Sequence, residues 1–404
     1  MFTKRNFQRR TRGFTRAALS HYVLSGLSAA VGLFLISGGV RLTLGAFASA
    51  IAVIGVIVAI PPDQPAPRRG KLQQFLPSVI IGLPLFFGVQ MLRDDPVDLG
   101  LLIVPASFLA FLGAAWGKRG IPVSISAMFA IIFSIAVPSH PAGGSNFTTT
   151  LYFALGMTSY VIYATLANAV LNARYRVQIL ADTLLSLGAL MRTQAQQFVA
   201  RDDVREPSEP IGRLIRDQAG LADQIQGARN ILLESPRTKR RQQLAGMLIG
   251  MLEMRDHLLA SDLDLDKLVA NPGPADVLST LRETLFALAT EIERLADSFF
   301  AGRQPEGFAS HRPRLAKLEW QLDAAPEPQS GQPTPAILAR GLADRIGHID
   351  DEALRLIALA RGDAPPDLAV VRATWQMFVS QTSWSWRPFL SVWRWDAPSL
   401  RHAI

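Results

Sequence analysis

A chain of 404 residues has room for two or three domains, and its 41 lysines and arginines outnumber its 33 aspartates and glutamates to give a net charge of +8. The excess is local: residues 1–170 hold 13 basic and 4 acidic side chains, while residues 171–404 are nearly neutral. The absence of cysteine excludes a disulfide framework and a thiolate metal site. The second half shows no basic face with interleaved aromatics, which argues against nucleic acid as a partner.

Residues 1–17 form a basic arm with Lys4, Arg5, Arg9, Arg10, Arg12 and Arg16. Six apolar stretches follow within residues 18–171: 18–39, 42–60, 75–92, 99–116, 121–137 and 148–171. None contains Asp or Glu. A bilayer-spanning helix needs about 17–25 mostly apolar residues, and uninterrupted runs exclude a barrel, whose strands would alternate. The expectation is an all-α membrane protein with six transmembrane helices. The first is too long for a signal-peptide core and reads as retained.

Span one is rich in small residues, and Ser28 with Gly32, like Ala46 with Ala50 in span two, has the four-residue spacing that lets helices approach closely in lipid. His21 stands at its inner mouth, where an imidazole suits a proton or anion site, although a lone histidine at a helix start also reads as structural. Arg41 falls between spans one and two. Pro61-Pro62-Asp63 ends span two, and Pro84 and Pro105 should kink spans three and four. Span six is the most polar: Tyr160, Tyr163 and Asn168 form one stripe near its inner half. That stripe either faces a substrate or, for the tyrosines, anchors at the headgroups.

The basic residues set the orientation. With the arm, Arg68, Arg69, Lys71, Lys118, Arg119, Arg174 and Arg176 all fall on one side under a six-span alternation, against Arg41 and Arg93 on the other. The positive-inside rule then places both ends of the block in the cytoplasm.

Residues 172–372 read as a cytoplasmic antiparallel helical bundle. Apolar residues recur at three-to-four spacing along 177–198, 211–232, 244–258, 277–299 and 337–357, with breaks at Asn271-Pro272-Gly273-Pro274 and in the proline-containing stretch 326–335. Residues 373–404 crowd Trp375, Trp384, Trp386, Trp393 and Trp395 together, either as a return to the membrane surface or as part of the bundle core.

Leu44-Gly45-Ala46 leading to Pro61-Pro62-Asp63 and Arg68-Arg69-Gly70-Lys71, then Phe111-Leu112-Gly113 before Gly117-Lys118-Arg119-Gly120, and the closing Leu400-Arg401-His402-Ala403, resemble the fusaric acid resistance family within the aromatic acid exporter superfamily. The resemblance covers the chain as the first half of a plan that repeats the membrane block. It implies a bacterial inner-membrane transporter for efflux of aromatic or other organic acids, working as a homodimer or as the first half of a twelve-span protein, with a periplasmic adaptor protein among its potential partners. Six-span plant malate channels share this architecture, so a passive organic-anion channel is the alternative, and a non-transporting scaffold is the third reading.

An anion path needs positive potential. Arg41 on the outer side and Lys118, Arg119 and Arg174 at the inner mouth supply it, unless they serve topology or snorkel to headgroups. There is no Walker A sequence, nucleophile elbow or metalloprotease helix. No enzyme activity, cofactor or metal is expected; His348 and Asp344 share a helix face, but charge pairing is the plainer account of them.

Overall fold

The structure is a computed structural model that describes residues 21–66, 70–137, 145–198, 208–233, 238–270, 275–323 and 335–381. Every regular element among them is helical: α1 (His21–Ala59), α2 (Lys71–Leu92), α3 (Pro96–Gly113), a 3-10 turn (Ala114–Arg119), α4 (Gly120–Ala136), α5 (Asn146–Ala195), α6 (Ser208–Leu232), α7 (Lys239–Ala270), α8 (Ala275–Ala301), α9 (Arg312–Asp323), α10 (Pro335–Arg361) and α11 (Leu368–Gln381). The basic arm 1–17 and all but the start of the tryptophan-rich segment lie outside the described residues. The chain divides into two compact units, one of residues 22–173 and one of residues 174–381 with His21. Helix α5 runs from one into the other.

In the first unit, apolar sequence becomes helix because each backbone group then finds its partner within the same segment, whatever surrounds it. Among the described residues four helices are long and apolar enough to cross a membrane: α1, α2, α3 with its extension to Gly117, and α5. The fifth apolar helix, α4, has 17 residues. Residues 21–39 and 42–59 of the first two expected stretches both fall within α1.

Helix α1 is not one straight rod. Ser49 Oγ donates to the Ser37 carbonyl at 2.9 Å, although the two are 12 residues apart. An unbroken helix would separate them by about 18 Å. The chain therefore doubles back between them, at Gly45, whose φ of 89° is a left-handed value that costs glycine nothing. Arg41 accordingly belongs to the helical run before the reversal, not to a loop after residue 39. The returning arm, residues 46–59, is about 21 Å long and shorter than the expected span.

Helix α5 is the spine of this unit. Tyr163 donates to the Ser28 carbonyl at 2.9 Å, and the rings of Tyr160 and Tyr163 cover Gly32, so the first arm of α1 runs antiparallel to α5. The second arm runs parallel to it: Ala52 meets Gly156, Gly55 meets Phe153 and Met157, and Ala66 meets Asn168 and Asn172. At Gly55 and Gly156 backbone touches backbone, since a Cβ would lie 2.2 Å from the Phe153 carbonyl and 1.9 Å from that of Ala52. The buried small residues of the second arm are Ala48, Ser49, Ala52, Gly55 and Ala59. Ala46 and Ala50, the expected pair, are exposed, because the reversal at Gly45 sets which side of the arm faces α5.

Helices α2 and α4 pack in parallel. Ser134 Oγ bonds the Phe86 carbonyl at 3.0 Å, and Gly82 faces Ala130, which gives the same offset of 48 residues at both levels. Helix α2 continues through Pro77 and Pro84, and α3 through Pro105, so the expected kinks do not end either helix. Asp95 caps α3 by accepting from the Val97 and Asp98 amides, and Pro96 starts the helix. The outward faces carry exposed Phe34, Leu42, Leu101, Val104 and Val170. An apolar surface of this kind is what a helix shows to lipid.

In the second unit, amphipathic helices bury their stripes together. Val277, Leu281, Leu285, Leu288, Ile292, Leu295 and Phe299 are all buried along α8. Helices α7 and α10 pair antiparallel: Gly246 lies against Leu359, Gly250 against Leu356, and His257 stacks on His348 with centroids 5.2 Å apart. Asp350, fully buried, accepts from Ser310 Oγ at 2.5 Å and from the His311 amide, fixing the start of α9, an element the periodicity did not announce. Ile337, counted on the apolar face of α10, is exposed near its first turn.

Candidate functional site

The connection from α1 to α2 is short and stiffened by Pro61, Pro62 and Pro65, so it must close over the end of the first unit. That closure buries charge. Lys71, the first residue of α2, is only 1% exposed. Its ammonium donates to Asp63 Oδ1 at 2.5 Å and to the Gln64 carbonyl at 2.5 Å. The other carboxylate oxygen, Asp63 Oδ2, accepts from the Tyr160 hydroxyl at 2.6 Å. An aspartate, a lysine and a tyrosine thus meet with little access to water, and an ion pair there persists only when its remaining valences are satisfied.

Aromatic rings wall the cluster. Phe75, one turn along α2, sets its ring edge-on to Tyr160 with centroids 6.4 Å apart, and the Lys71 ammonium lies 5.2 Å from the Phe75 centroid. Tyr163 lies beside Tyr160 at 6.1 Å. Asn168 and Asn172 donate to the Ala66 carbonyl at 3.1 and 3.3 Å and hold the connection against α5.

The structure therefore brings Tyr160, Tyr163 and Asn168 together, each engaged with α1 or with the connection that follows it. The expected basic residues lie elsewhere. Arg41 and Arg174 are exposed. Lys118 and Arg119 sit in the 3-10 turn after Gly117, and their side chains lie outside the described residues, as do Arg68 and Arg69. His21 pairs with Asp182 in the second unit, Nδ1 to Oδ2 at 2.5 Å. His348 stacks on His257, and no cluster of three or more metal-ligating side chains occurs among the described residues.

Reading the sequence missed Asp63 and Lys71 as a pair. Asp63 read as part of a proline turn and Lys71 as one more inner-side charge. The available signal was the acid and the base at the two ends of a short connection between apolar helices.

Several buried polar atoms near this end have no partner among the described residues: Gln74 Oε1, Ser78 Oγ, Ser126 Oγ and Asn168 Oδ1. Gln74 and Ser78 follow Lys71 at three and seven residues, on one face of α2. Ser126 sits level with Ser78, by the 48-residue offset that relates α4 to α2. At the other end of these helices Gln90 donates to the Ser134 carbonyl at 2.7 Å, Arg93 to that of Val137 at 3.0 Å, and Asn146 to that of Gln90 at 2.9 Å.

Helices of membrane-spanning length and apolar composition, with exposed apolar side chains on their outward faces, define the class as a helical membrane protein. A family model described as FUSC-like inner membrane protein yccS matches residues 78–351, more than half of the chain, and the chain belongs to that family. A comparison with the curated proteins found no match.

Proposed function

We propose that the chain carries organic acid anions, aromatic acids foremost, out of the bacterial cytoplasm through residues 22–173, which cross the inner membrane six times. It does so as a homodimer or as half of a larger transporter, and it catalyses no reaction. The observation that carries this reading is Lys71, a cation buried at the start of α2 and paired with Asp63, which in turn accepts from Tyr160 of α5. Ionisable groups in such places are expensive and mark ion or substrate paths.

Two further observations support it. Family membership gives a membrane protein of the inner-membrane type. The packing directions suit six crossings: the first arm of α1 opposes α5, the second arm follows it, and α2 and α4 run side by side in one direction. Under that alternation Lys71 and Asp63 lie at the cytoplasmic end, and Gln90, Arg93 and Asn146 at the external end. Arg41, exposed one turn before the reversal at Gly45, gathers anions at the outer mouth.

The test is flux. The full chain is reconstituted into proteoliposomes, and labelled 4-hydroxybenzoate is followed across the bilayer. Lys71→Gln abolishes flux and Arg41→Glu slows it. Unchanged flux in Lys71→Gln removes the pathway from this site. A protein that moves none of a panel of aromatic and aliphatic acids is not a transporter of this class.

A further inference from the structure

We propose that Asp63 and Lys71 form a proton-linked binding site for an aromatic monocarboxylic acid, in which the ligand carboxylate replaces Asp63 on Lys71 while Asp63 takes up one proton. The proposal rests on the transport reading above and adds to it the proton linkage at that site.

Charge balance is the first argument. Asp63 neutralises Lys71, whose side chain is only 2% exposed, and is itself largely covered, at 13%. If an anion entered with Asp63 still ionised, two negative charges would compete for one ammonium in a low-dielectric site. If Asp63 left without a replacement, Lys71 would be a bare buried cation. Both states are costly. A proton and a monovalent anion arriving together leave the site neutral throughout: the proton goes to the Asp63 carboxylate, and the Lys71 ammonium exchanges one carboxylate for another. A dianion would leave one charge unbalanced, so the ligand is monovalent.

The proton has a seat. Tyr160 donates to Asp63 Oδ2 at 2.6 Å. A phenol both donates and accepts, so the same contact holds when the Asp63 carboxyl carries the proton and becomes the donor. Among the described residues the titratable groups in contact with Asp63 are Lys71 at the start of α2 and Tyr160 of α5, and Tyr163 stands behind Tyr160.

The ligand has partners as well. Buried polar groups are normally hydrogen-bonded. Here Ser78 Oγ and Ser126 Oγ are buried and have no partner among the described residues. Ser78 lies about 10 Å along α2 from Lys71, so these groups continue the polar face inward from the ammonium. Between them Phe75 presents an aromatic wall against Lys71 and Tyr160. A carboxylate on an aromatic ring matches a cation beside such a wall.

The experiment uses the full chain in detergent and two probes, benzoate and benzenesulfonate. The second stays ionised at every pH used, so only the protein's titration is read. Isothermal titration calorimetry in two buffers of different protonation enthalpy gives affinity and proton uptake. In the wild type, benzenesulfonate binds close to tenfold more tightly for each unit the pH falls while Asp63 is ionised, with one proton taken up per ligand. Asp63→Asn binds tightly at all pH values and takes up no proton. Lys71→Gln does not bind, and Lys71→Arg, which keeps the charge, does. The double variant Asp63→Asn/Lys71→Gln, which buries no charge, shows by thermal unfolding that loss of binding is not loss of fold. Affinity independent of pH in the wild type, or Asp63→Asn no tighter than wild type at pH 8, overturns the proton linkage. Retained 4-hydroxybenzoate flux in that case leaves the transport reading standing, and absence of both binding and flux in the wild type overturns both.

Discussion

Tyr160 contributes a ring to the core and a hydroxyl to Asp63, and the two roles separate in Tyr160→Phe. The ring packing against Phe75 is kept, and the hydrogen bond to a carboxylate is lost. A hydrogen bond to a charged group contributes about 1.5–3 kcal/mol, so Tyr160→Phe should lower the stability of the detergent-solubilised protein by that order, read from its unfolding midpoint. The second unit offers a pH test. Burial, and then the neighbouring charge of Glu253, raises the Glu352 carboxyl above its ordinary value of 4.5, while burial, and then His348, lowers His257 below 6.5. A raised carboxyl favours the folded state while it is protonated, so that stability is lost as pH rises from about 4.5 through the folded value. A lowered imidazole does the reverse, and stability is lost as pH falls below about 6.5. Glu352→Gln should therefore raise the melting temperature at pH 7.5 and leave it unchanged near pH 4. A drop at neutral pH would contradict the burial argument. Little of this was legible from the sequence. Tyr160, Tyr163 and Asn168 shared a helix face by spacing alone, but Asp63 meets Tyr160 across 97 positions and Glu253 meets Glu352 across a helix pair, and no local pattern encodes such contacts.

At the scale of the element, hydrophobic length and period located most helices because both are local properties. The stripe of α8 and the long apolar runs follow directly from them. The failures lie where tertiary geometry decides. Gly45 sits inside an apolar run with nothing beside it to announce a reversal, so the sequence alone points to a turn several residues too early, at Arg41. The reversal has a clean test, since the chain has no cysteine. Ser37→Cys/Ser49→Cys should form an intramolecular disulfide on mild oxidation, because the two hydroxyls lie 3.3 Å apart. A straight helix would hold them about 18 Å apart and give none. The crossing of α1 with α5 is as specific. Gly156→Ala places a methyl into the Ala52 carbonyl and should cost about 1–3 kcal/mol of stability, whereas Gly38→Ala, with open space around it, should cost little.

At the scale of the whole molecule, the proposed transport requires crossings that return both ends of the first unit to one compartment. Among the described residues four helices have the length to cross, and contacts give relative directions for the two arms of α1 with α5 and for α2 with α4; the six crossings and their sidedness belong to the proposal. If the alternation failed, Lys71 would not stand at the cytoplasmic end, and the proposed route for an acid leaving the cell would lose its entrance. Single cysteines at exposed Ser145 and exposed Lys239, probed in intact cells and after permeabilisation with a membrane-impermeant maleimide, test it directly. The cysteine at 145 should label from outside, and the one at 239 only once the membrane is opened. Labelling of both from the same side would contradict the six-crossing arrangement.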